Sequence, residues 1–332
     1  MMNNIMPMHS TSSTIPESVS LEDTACPLGC LSADDLVVRG YDLLHEVPGE
    51  FTVVRCKACG LQRTTPRPTQ QTIGAYYPDD YGPYKGTCVE NCEGEGRGLK
   101  SALLSFAKRI FDTKAQALPN MQPGRMLEIG CASGSFLHHM ATCGWRVEGI
   151  EYAETAAKSA RALGYPVEIG ALETINKPDD SYDLIVGWMV LEHLHQPLEC
   201  LRKLAKWARR DAILVVSVPN VGSIEAQLFG PNWYALQLPT HLFHYDTSSI
   251  SKVLQAGGWR VTHIHHHRTV ANIVASLGYW LREQGFAGLG QRLIQFPETG
   301  GRLGVLLTFP LALPLALFGQ TGRMTVWARR EC

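Results

Sequence analysis

The 332-residue chain lacks a long unbroken apolar run. Its most hydrophobic stretch, 303–318, is interrupted by Pro310 and Pro314. A membrane-spanning helix needs about 20 apolar residues, so no span is expected there. The opening segment, 1–20, lacks the basic start and apolar core of a secretory leader, and a disordered tail is expected instead. No charge of one sign dominates, since 30 Lys/Arg face 31 Asp/Glu. Residues 1–98 lean acidic, with seven Lys/Arg against thirteen Asp/Glu. Such a module gains nothing from counterion release, which argues against nucleic acid as a partner. Two phosphate signatures are also missing, the Gly-x-Gly-x-x-Gly of dinucleotide folds and the Gly-Lys-Ser/Thr of a phosphate loop. An apolar fraction of 45% with 18% charged residues still describes a globular chain, one long enough for more than one unit. The ten cysteines, met without a leader, point to the cytoplasm and to reduced thiols or metal ligands rather than disulfides.

What the chain does have is Met126-Leu127-Glu128-Ile129-Gly130-Cys131-Ala132-Ser133-Gly134-Ser135-Phe136. An apolar strand ends at an acid, a glycine loop follows, and a helix starts near Ser135. Gly130 and Gly134 let a ligand press against bare backbone, and the helix start adds unpaired N–H groups. Glu128 would repel a pyrophosphate and suits a ligand with an amino group and a positive charge, such as S-adenosylmethionine. A second strand, Arg146 to Glu151, also ends in an acid. The spacing from Glu128 to Glu151 suits hydrogen bonds from a ribose diol. Further buried strands are expected at Tyr182–Trp188 and Ala212–Asn220, with a helix over Pro197–Ala208 between them. The alternation predicts a doubly wound, mostly parallel α/β sheet, with the ligand at the carboxyl ends of the strands beside Glu128, Glu151 and Trp188.

The segments LEIGCASGSF, VEGIEY, GALE, SYDLIVGWMVLEHLHQP, LVVSVPN and PTHLFHYD resemble class I S-adenosylmethionine-dependent methyltransferases over about residues 120–270. The resemblance implies a Rossmann-like seven-stranded sheet that binds S-adenosylmethionine. Its contacts would be Glu128, Gly130, Cys131, Ala132, Ser133, Gly134, Glu151, Tyr152, Ala171, Leu172, Trp188 and Val190. Glu192-His193 matches a pair that lines the methyl-donor pocket in many members. In ubiquinone-pathway O-methyltransferases a related Glu-x-x-Glu-His set holds a divalent metal. Here Met189 occupies the first Glu position, and a hard cation such as magnesium needs oxygen ligands. The plainer role for Glu192-His193 is to order its loop.

Methyl transfer to a hydroxyl benefits from positioning and from a base of near-neutral pKa. His241, in Pro239-Thr240-His241-Leu242-Phe243-His244, is the first candidate base and His193 the second. Alternatively, His241 holds Trp233 and Tyr234 in place. His263, His265 and His267 would share one face of a late strand, either as a weak metal site or as surface histidines.

Cys26 and Cys30 form one cysteine hook, Cys56 and Cys59 another, with enough chain between them for a hairpin. Four thiolates from two hooks would make a closed structural zinc site. This leader is similar to the zinc ribbon ahead of some bacterial small-molecule and glycan methyltransferases. There an "RP…YY…Y" stretch follows, as Arg67-Pro68, Tyr76-Tyr77 and Tyr81 do here. Those tyrosines either roof the pocket or pack the linker. Leu99, Leu103, Phe106 and Ile110 recur at helical spacing.

The expected organisation is a tail (1–20), a zinc-ribbon-like module (21–65), a linker (66–98), the cofactor domain (99–270) and an apolar C-terminal helical segment with a closing strand (271–332). The stretch 303–318 would either cover the pocket as a hairpin with 271–295 or lie at the inner face of a membrane. Arg292, Arg302, Arg323, Arg329 and Arg330 flank it. The expected activity is methylation of a hydroxyl on a small molecule, sugar or lipid-linked glycan precursor. The rivals are an RNA methyltransferase and a non-catalytic binding module. The sequence leaves the oligomeric state open.

Overall fold

The computed structural model describes residues 14–77 and 117–331. The expected helix at Leu99–Ile110 lies outside the described residues, as do Tyr81 and the further cysteine pair that could compete as zinc ligands, Cys88 and Cys92.

The N-terminal part holds β1 (Leu21–Glu22), β2 (Asp34–Tyr41), β3 (Glu50–Cys56), β4 (Gln62–Thr64) and β5 (Arg67–Pro68), then a single 3-10 turn, Ile73–Tyr76. The expected hairpin between the cysteine hooks is β2–β3, antiparallel with Asp34 opposite Cys56 and Tyr41 opposite Glu50. Pro68 of β5 pairs with Leu21 of β1, so the module runs past residue 65 into the segment expected as a linker. Residues 15–20 are likewise held rather than loose. Ile15 and Val19 pack against the cluster of Phe51, Val53 and Tyr76, and the Ser20 N–H donates to Thr72 Oγ1 at 3.2 Å.

The larger sheet is built from β6 (Arg125–Ile129), β7 (Arg146–Glu151), β8 (Val167–Ile169), β9 (Tyr182–Trp188) and β10 (Ala208–Pro219), followed later in the chain by β12 (Trp259–His266) and β13 (Arg323–Arg330). Its order is β12-β13-β10-β9-β6-β7-β8. β6, β7, β8, β9 and β10 run parallel, and β13 is antiparallel to both β10 and β12. Strand alternation splits the apolar residues between two cores. Ile185, Leu214 and Val216 pack on one face, and Leu184, Val186 and Val215 on the other. The connection order reverses between β6 and β9, which opens a crevice at their carboxyl ends.

Helices α1 (Ser135–Thr142), α2 (Glu154–Ala162), α3 (Pro197–Trp207), α4 (Ile224–Phe229) and α5 (Thr247–Ala256) follow their strands. Cys143, at the end of α1, is disulfide-bonded, so the expectation of reduced thiols or metal ligands fails at that position. Pro197 opens α3, where its missing N–H costs nothing. Asp246 caps α5 in a reciprocal box with Ser249. Strand β11 (Phe243–His244) leaves the larger sheet altogether and pairs with β4, completing the four-stranded N-terminal sheet β11-β4-β3-β2.

The C-terminal segment forms α6 (Ala271–Glu283), α7 (Ala287–Ile294), α8 (Phe296–Thr299) and α9 (Gly301–Leu317) before β13. Helix α9 turns small residues inward, with Gly304, Ala312 and Ala316 buried. Leu306, Leu307, Leu311, Leu317 and Phe318 face out, the last 80% exposed. The buried-hairpin expectation for 303–318 therefore fails for these side chains, because the inward positions are too small to carry its apolar bulk. No described helix is long and apolar enough to cross a membrane.

Candidate active site

The turn after β6 reverses the chain with three positive φ angles, at Gly130 (66°), Ala132 (45°) and Gly134 (81°). The Gly130 N–H donates to Ile150 O at 2.8 Å, which ties the loop to β7. A Cβ at Gly130 would come 2.6 Å from Val190 Cγ2, and one at Gly134 would come 2.6 Å from Ala160 Cβ. The first glycine thus keeps the crevice floor clear, and the second lets α1 start against α2.

Both expected acids reach this turn. Glu151 is 5% exposed. Its Oε2 accepts from the Ala132 N–H at 2.7 Å and its Oε1 from the Ala153 N–H at 2.9 Å. Burial lifts its pKa, while those backbone N–H groups pull it back. Glu128 is buried behind it, and its Oε2 has no hydrogen-bond partner among the described residues. Burial, and then the charge of Glu151, pushes its pKa well above the usual carboxylate range. An orphaned buried carboxyl is stabilised by a cationic or N–H donor arriving from a ligand.

A cavity of about 730 Å³ opens at this end of the sheet. Of the sequence-predicted residues, Gly130, Ala132, Glu151, Tyr152, Ala171, Leu172, Trp188, Val190, His193 and His241 line it. Trp188 is fixed edge-on to Phe136, with ring centroids 5.1 Å apart. Glu128, Cys131, Ser133 and Gly134 stand behind the wall. For Cys131 the reason is packing, since a Cβ on Gly149 would meet its Sγ at 2.6 Å. Its thiol therefore lies over β7 and not in the cavity.

The two candidate bases meet in the cavity wall, with ring centroids 4.7 Å apart. His241 Nδ1 lies 3.0 Å from Ala235 O, and His193 Nδ1 lies 2.9 Å from Thr240 O. Carbonyl oxygens only accept, so these contacts assign the proton to each Nδ1 and leave each Nε2 as a lone pair. Burial lowers both pKa values, to about 4 for His193 and well below 6.5 for His241, which also feels His193 and His244. Beside them Glu192 is fully buried with both carboxylate oxygens unpartnered among the described residues. Burial raises its pKa to about 8. One ligand atom each from Glu192, His193 and His241 lies within 4.8 Å of the others. Met189, at the position of the missing acid, sits in the cavity wall with a φ of 57° and offers no oxygen.

The two adjacent tyrosines divide the readings offered for them. Tyr76 is fully buried, donates to Pro48 O at 2.8 Å and meets Phe51 edge-on, so it packs the module. Tyr77 lines the cavity, its hydroxyl 2.9 Å from His193 Nδ1. Trp233 is buried, and Tyr234 lines the cavity while stacking on Tyr279. His195, Gln237 and the trio Gln291, Gln295 and Glu298 also contribute to the wall. His195 and Gln237 come from separate segments, whereas Gln291, Gln295 and Glu298 recur at helical spacing, a pattern that marks a shared face but not which cavity it meets. Gln237 carries a local sign, a φ of 41° in the loop just before His241.

In the N-terminal module, the four sulfurs of Cys26, Cys30, Cys56 and Cys59 lie within 4.8 Å of one another. Cys26 Sγ and Cys59 Sγ are 3.5 Å apart. Gly29 (φ 74°) and Gly60 (φ 81°) bend the two hooks, so the extra residue in the first hook is absorbed in its turn. Burial pushes the Cys56 thiol up, but the Ser32 hydroxyl and backbone N–H groups outweigh it and bring it down to about 6. The histidine run does not assemble in this way: among the described residues, the groups of possible metal ligands are the four cysteines and Glu192–His193–His241. His267 Nε2 instead lies 2.7 Å from Thr325 Oγ1.

A family model described as a methyltransferase domain matches residues 103–264. A probable S-adenosylmethionine-dependent methyltransferase of Mycolicibacterium smegmatis is 28% identical over 156 residues, covering 46% of this chain and 59% of that protein. A ubiquinone biosynthesis O-methyltransferase of Maricaulis maris is 28% identical over 147 residues, covering 40% and 58%. The chain therefore spans less than two thirds of the length of either relative. An S-adenosylmethionine-dependent methyltransferase structure from Mesorhizobium loti aligns with a TM-score of 0.45 and 16% identity, over 71% of this chain and all of that one.

Proposed function

We propose that the chain, whose residues 103–264 match a methyltransferase domain, is a class I S-adenosylmethionine-dependent methyltransferase that methylates a hydroxyl of a small-molecule acceptor, with sugars and lipid-linked glycan precursors in scope. The observation that carries this reading is a cavity that joins the acid-flanked glycine turn to the free Nε2 of His241. The orphaned Glu128 oxygen and the bare turn at Gly130 fit a ligand with a cationic amino-acid end. Glu151, fixed by two backbone N–H groups, is set to accept from a ribose diol.

When bound, S-adenosylmethionine supplies an electrophilic methyl group on a sulfonium. The protein's own work is positioning and proton removal. The Gly130 turn, Trp188 and His241 all line the same cavity. Positioning of this kind is worth about 7–11 kcal/mol. His241, neutral because it is buried, takes the acceptor's proton at Nε2, while its Nδ1–H stays on Ala235 O and keeps the ring oriented. Tyr77 and Tyr234 supply aromatic surface to the cavity wall. Titration calorimetry with S-adenosylmethionine should show Glu151→Ala weakening affinity at least roughly tenfold, the loss of charge-assisted hydrogen bonds. Unchanged affinity would remove the ribose assignment.

The cysteine cluster supports structural zinc, since four thiolates suit a closed tetrahedral site. Purified protein should carry about one zinc per chain, lost with Cys56→Ser. The Glu192–His193–His241 group favours a second reading, a catalytic metal. Two imidazoles and one carboxylate suit a borderline transition ion better than magnesium. A further metal equivalent that survives Cys56→Ser and disappears with His193→Ala would support that reading. Its absence by metal analysis leaves His241 as the base.

A further inference from the structure

The cavity wall includes four glutamines: Gln70 after β5, Gln237 in the loop before β11, Gln291 on α7 and Gln295 one turn further on. Among the described lining residues there is no lysine or arginine, and the formal charges present are the acids Glu151, Glu173 and Glu298. Gln237 is held in place by its own backbone. With its φ at 41°, its carbonyl accepts from the His241 N–H at 2.9 Å and from Thr240 Oγ1 at 3.0 Å. That carbonyl is used up in fixing the loop that carries the base, and the side-chain amide remains for the cavity.

These observations decide between acceptor classes. A phosphate or carboxylate bound near the reacting hydroxyl would call for a guanidinium or ammonium partner, which none of the described lining residues supplies. A flat phenol would cover the amides and leave them without partners, a costly outcome for polar groups taken out of water. A primary amide presents donors and an acceptor side by side, which matches a hydroxyl that both donates and accepts. Several such amides suit adjacent hydroxyls on one ring. Tyr234, braced by its stack on Tyr279, adds an apolar plate against which the C–H face of such a ring can lie.

We propose that the acceptor is a neutral, hydroxyl-rich ring, a glycosyl or cyclitol unit with no phosphate or carboxylate beside the methylated hydroxyl, and that Gln237 is its specificity-determining residue. This inference rests on the methyl-transfer reading above. Gln237 acts next to the base and is a recognition group, not a proton acceptor.

The test uses the full-length protein with S-adenosylmethionine and three matched acceptor sets: methyl glycosides of common hexoses and deoxyhexoses, the corresponding uronic acids and sugar phosphates, and simple phenols. Mass spectrometry reads the gain of one CH2. Neutral glycosides should be turned over with kcat/KM at least roughly tenfold above their anionic counterparts. Gln237→Leu should raise the acceptor KM about tenfold or more and leave S-adenosylmethionine affinity unchanged. Gln291→Leu, on the exposed face of a helix, should act the same way and guards against a folding failure in the first variant. Preference for the anionic or phenolic set overturns the inference, as does failure of every neutral glycoside in a protein that binds S-adenosylmethionine; in both cases the methyl-donor reading stands. Absence of S-adenosylmethionine binding overturns both.

Discussion

Replacing His241 with alanine should lower kcat about 10²- to 10⁴-fold, the usual worth of a positioned base, while S-adenosylmethionine affinity stays within about twofold of wild type. The expectation follows from a division of roles. The proposed donor contacts are Glu128, Glu151 and the glycine turn, whereas His241 is fixed separately by its Nδ1–H on Ala235 O. The pH dependence has a definite sign. Burial, together with the nearby His193 and His244, keeps the His241 imidazole neutral far below 6.5. The acid limb of kcat/KM should therefore lie well under that value, where a solvated histidine would already be protonated. A rate that falls by half near pH 6.5 would point to another base. A His241→Ala variant with normal kcat would remove the residue from the chemistry. His193 should matter differently. Its Nδ1 is shared between Tyr77 and Thr240, so its loss should loosen the cavity wall and raise the acceptor KM more than it lowers kcat.

The second large effect concerns stability. Glu192 is fully buried, its carboxylate oxygens are unpartnered among the described residues, and its pKa is raised to about 8 from 4.5. Between those two values the unfolded chain has released the proton that the folded chain keeps. Stability must therefore fall as pH rises through that window. The total loss is on the order of 3–5 kcal/mol. Glu192→Gln keeps the shape and removes the ionisation, so it should be nearly neutral at pH 5 and more stable than wild type at pH 8. Denaturant unfolding at the two values measures the gap directly. A gap that does not widen between pH 5 and pH 8 would mean that a cation, not a proton, satisfies the carboxyl.

Much of the sheet is legible in the sequence because its central strands are unbroken apolar runs bounded by glycine turns and helix starts. Glu128, Gly130 and Glu151 share that legibility, since strand ends and a fixed spacing bring them together. The acceptor side does not. Phe243-His244 is too short to show a strand period, and its partner β4 lies far back in the chain, ahead of the whole larger sheet. Tyr76 and Tyr77 are neighbours of one type, and only the 3-10 turn that holds them decides that the first packs Phe51 and the second meets His193. The glutamines of α7 and its C-terminal end reach the cavity through helix packing, which leaves no mark on local composition. The sequence leaves helix α9 open between a buried cover and a membrane-interface element, and the structure points Leu306, Leu307, Leu311 and Leu317 outward while Gly304, Ala312 and Ala316 face in.

Thr64 of β4 donates its hydroxyl to His241 O at 2.8 Å and its N–H to Leu242 O at 3.0 Å. The loop that carries His241 thus runs directly into β11, an edge strand of the cysteine-bearing sheet. Leader and acceptor specificity are consequently one heritable unit. A chimera that exchanges residues 14–77 for the leader of a relative must bring 237–245 with it, and a chain trimmed to its transferase core would keep a pocket for the methyl donor with nowhere to seat the molecule that receives it.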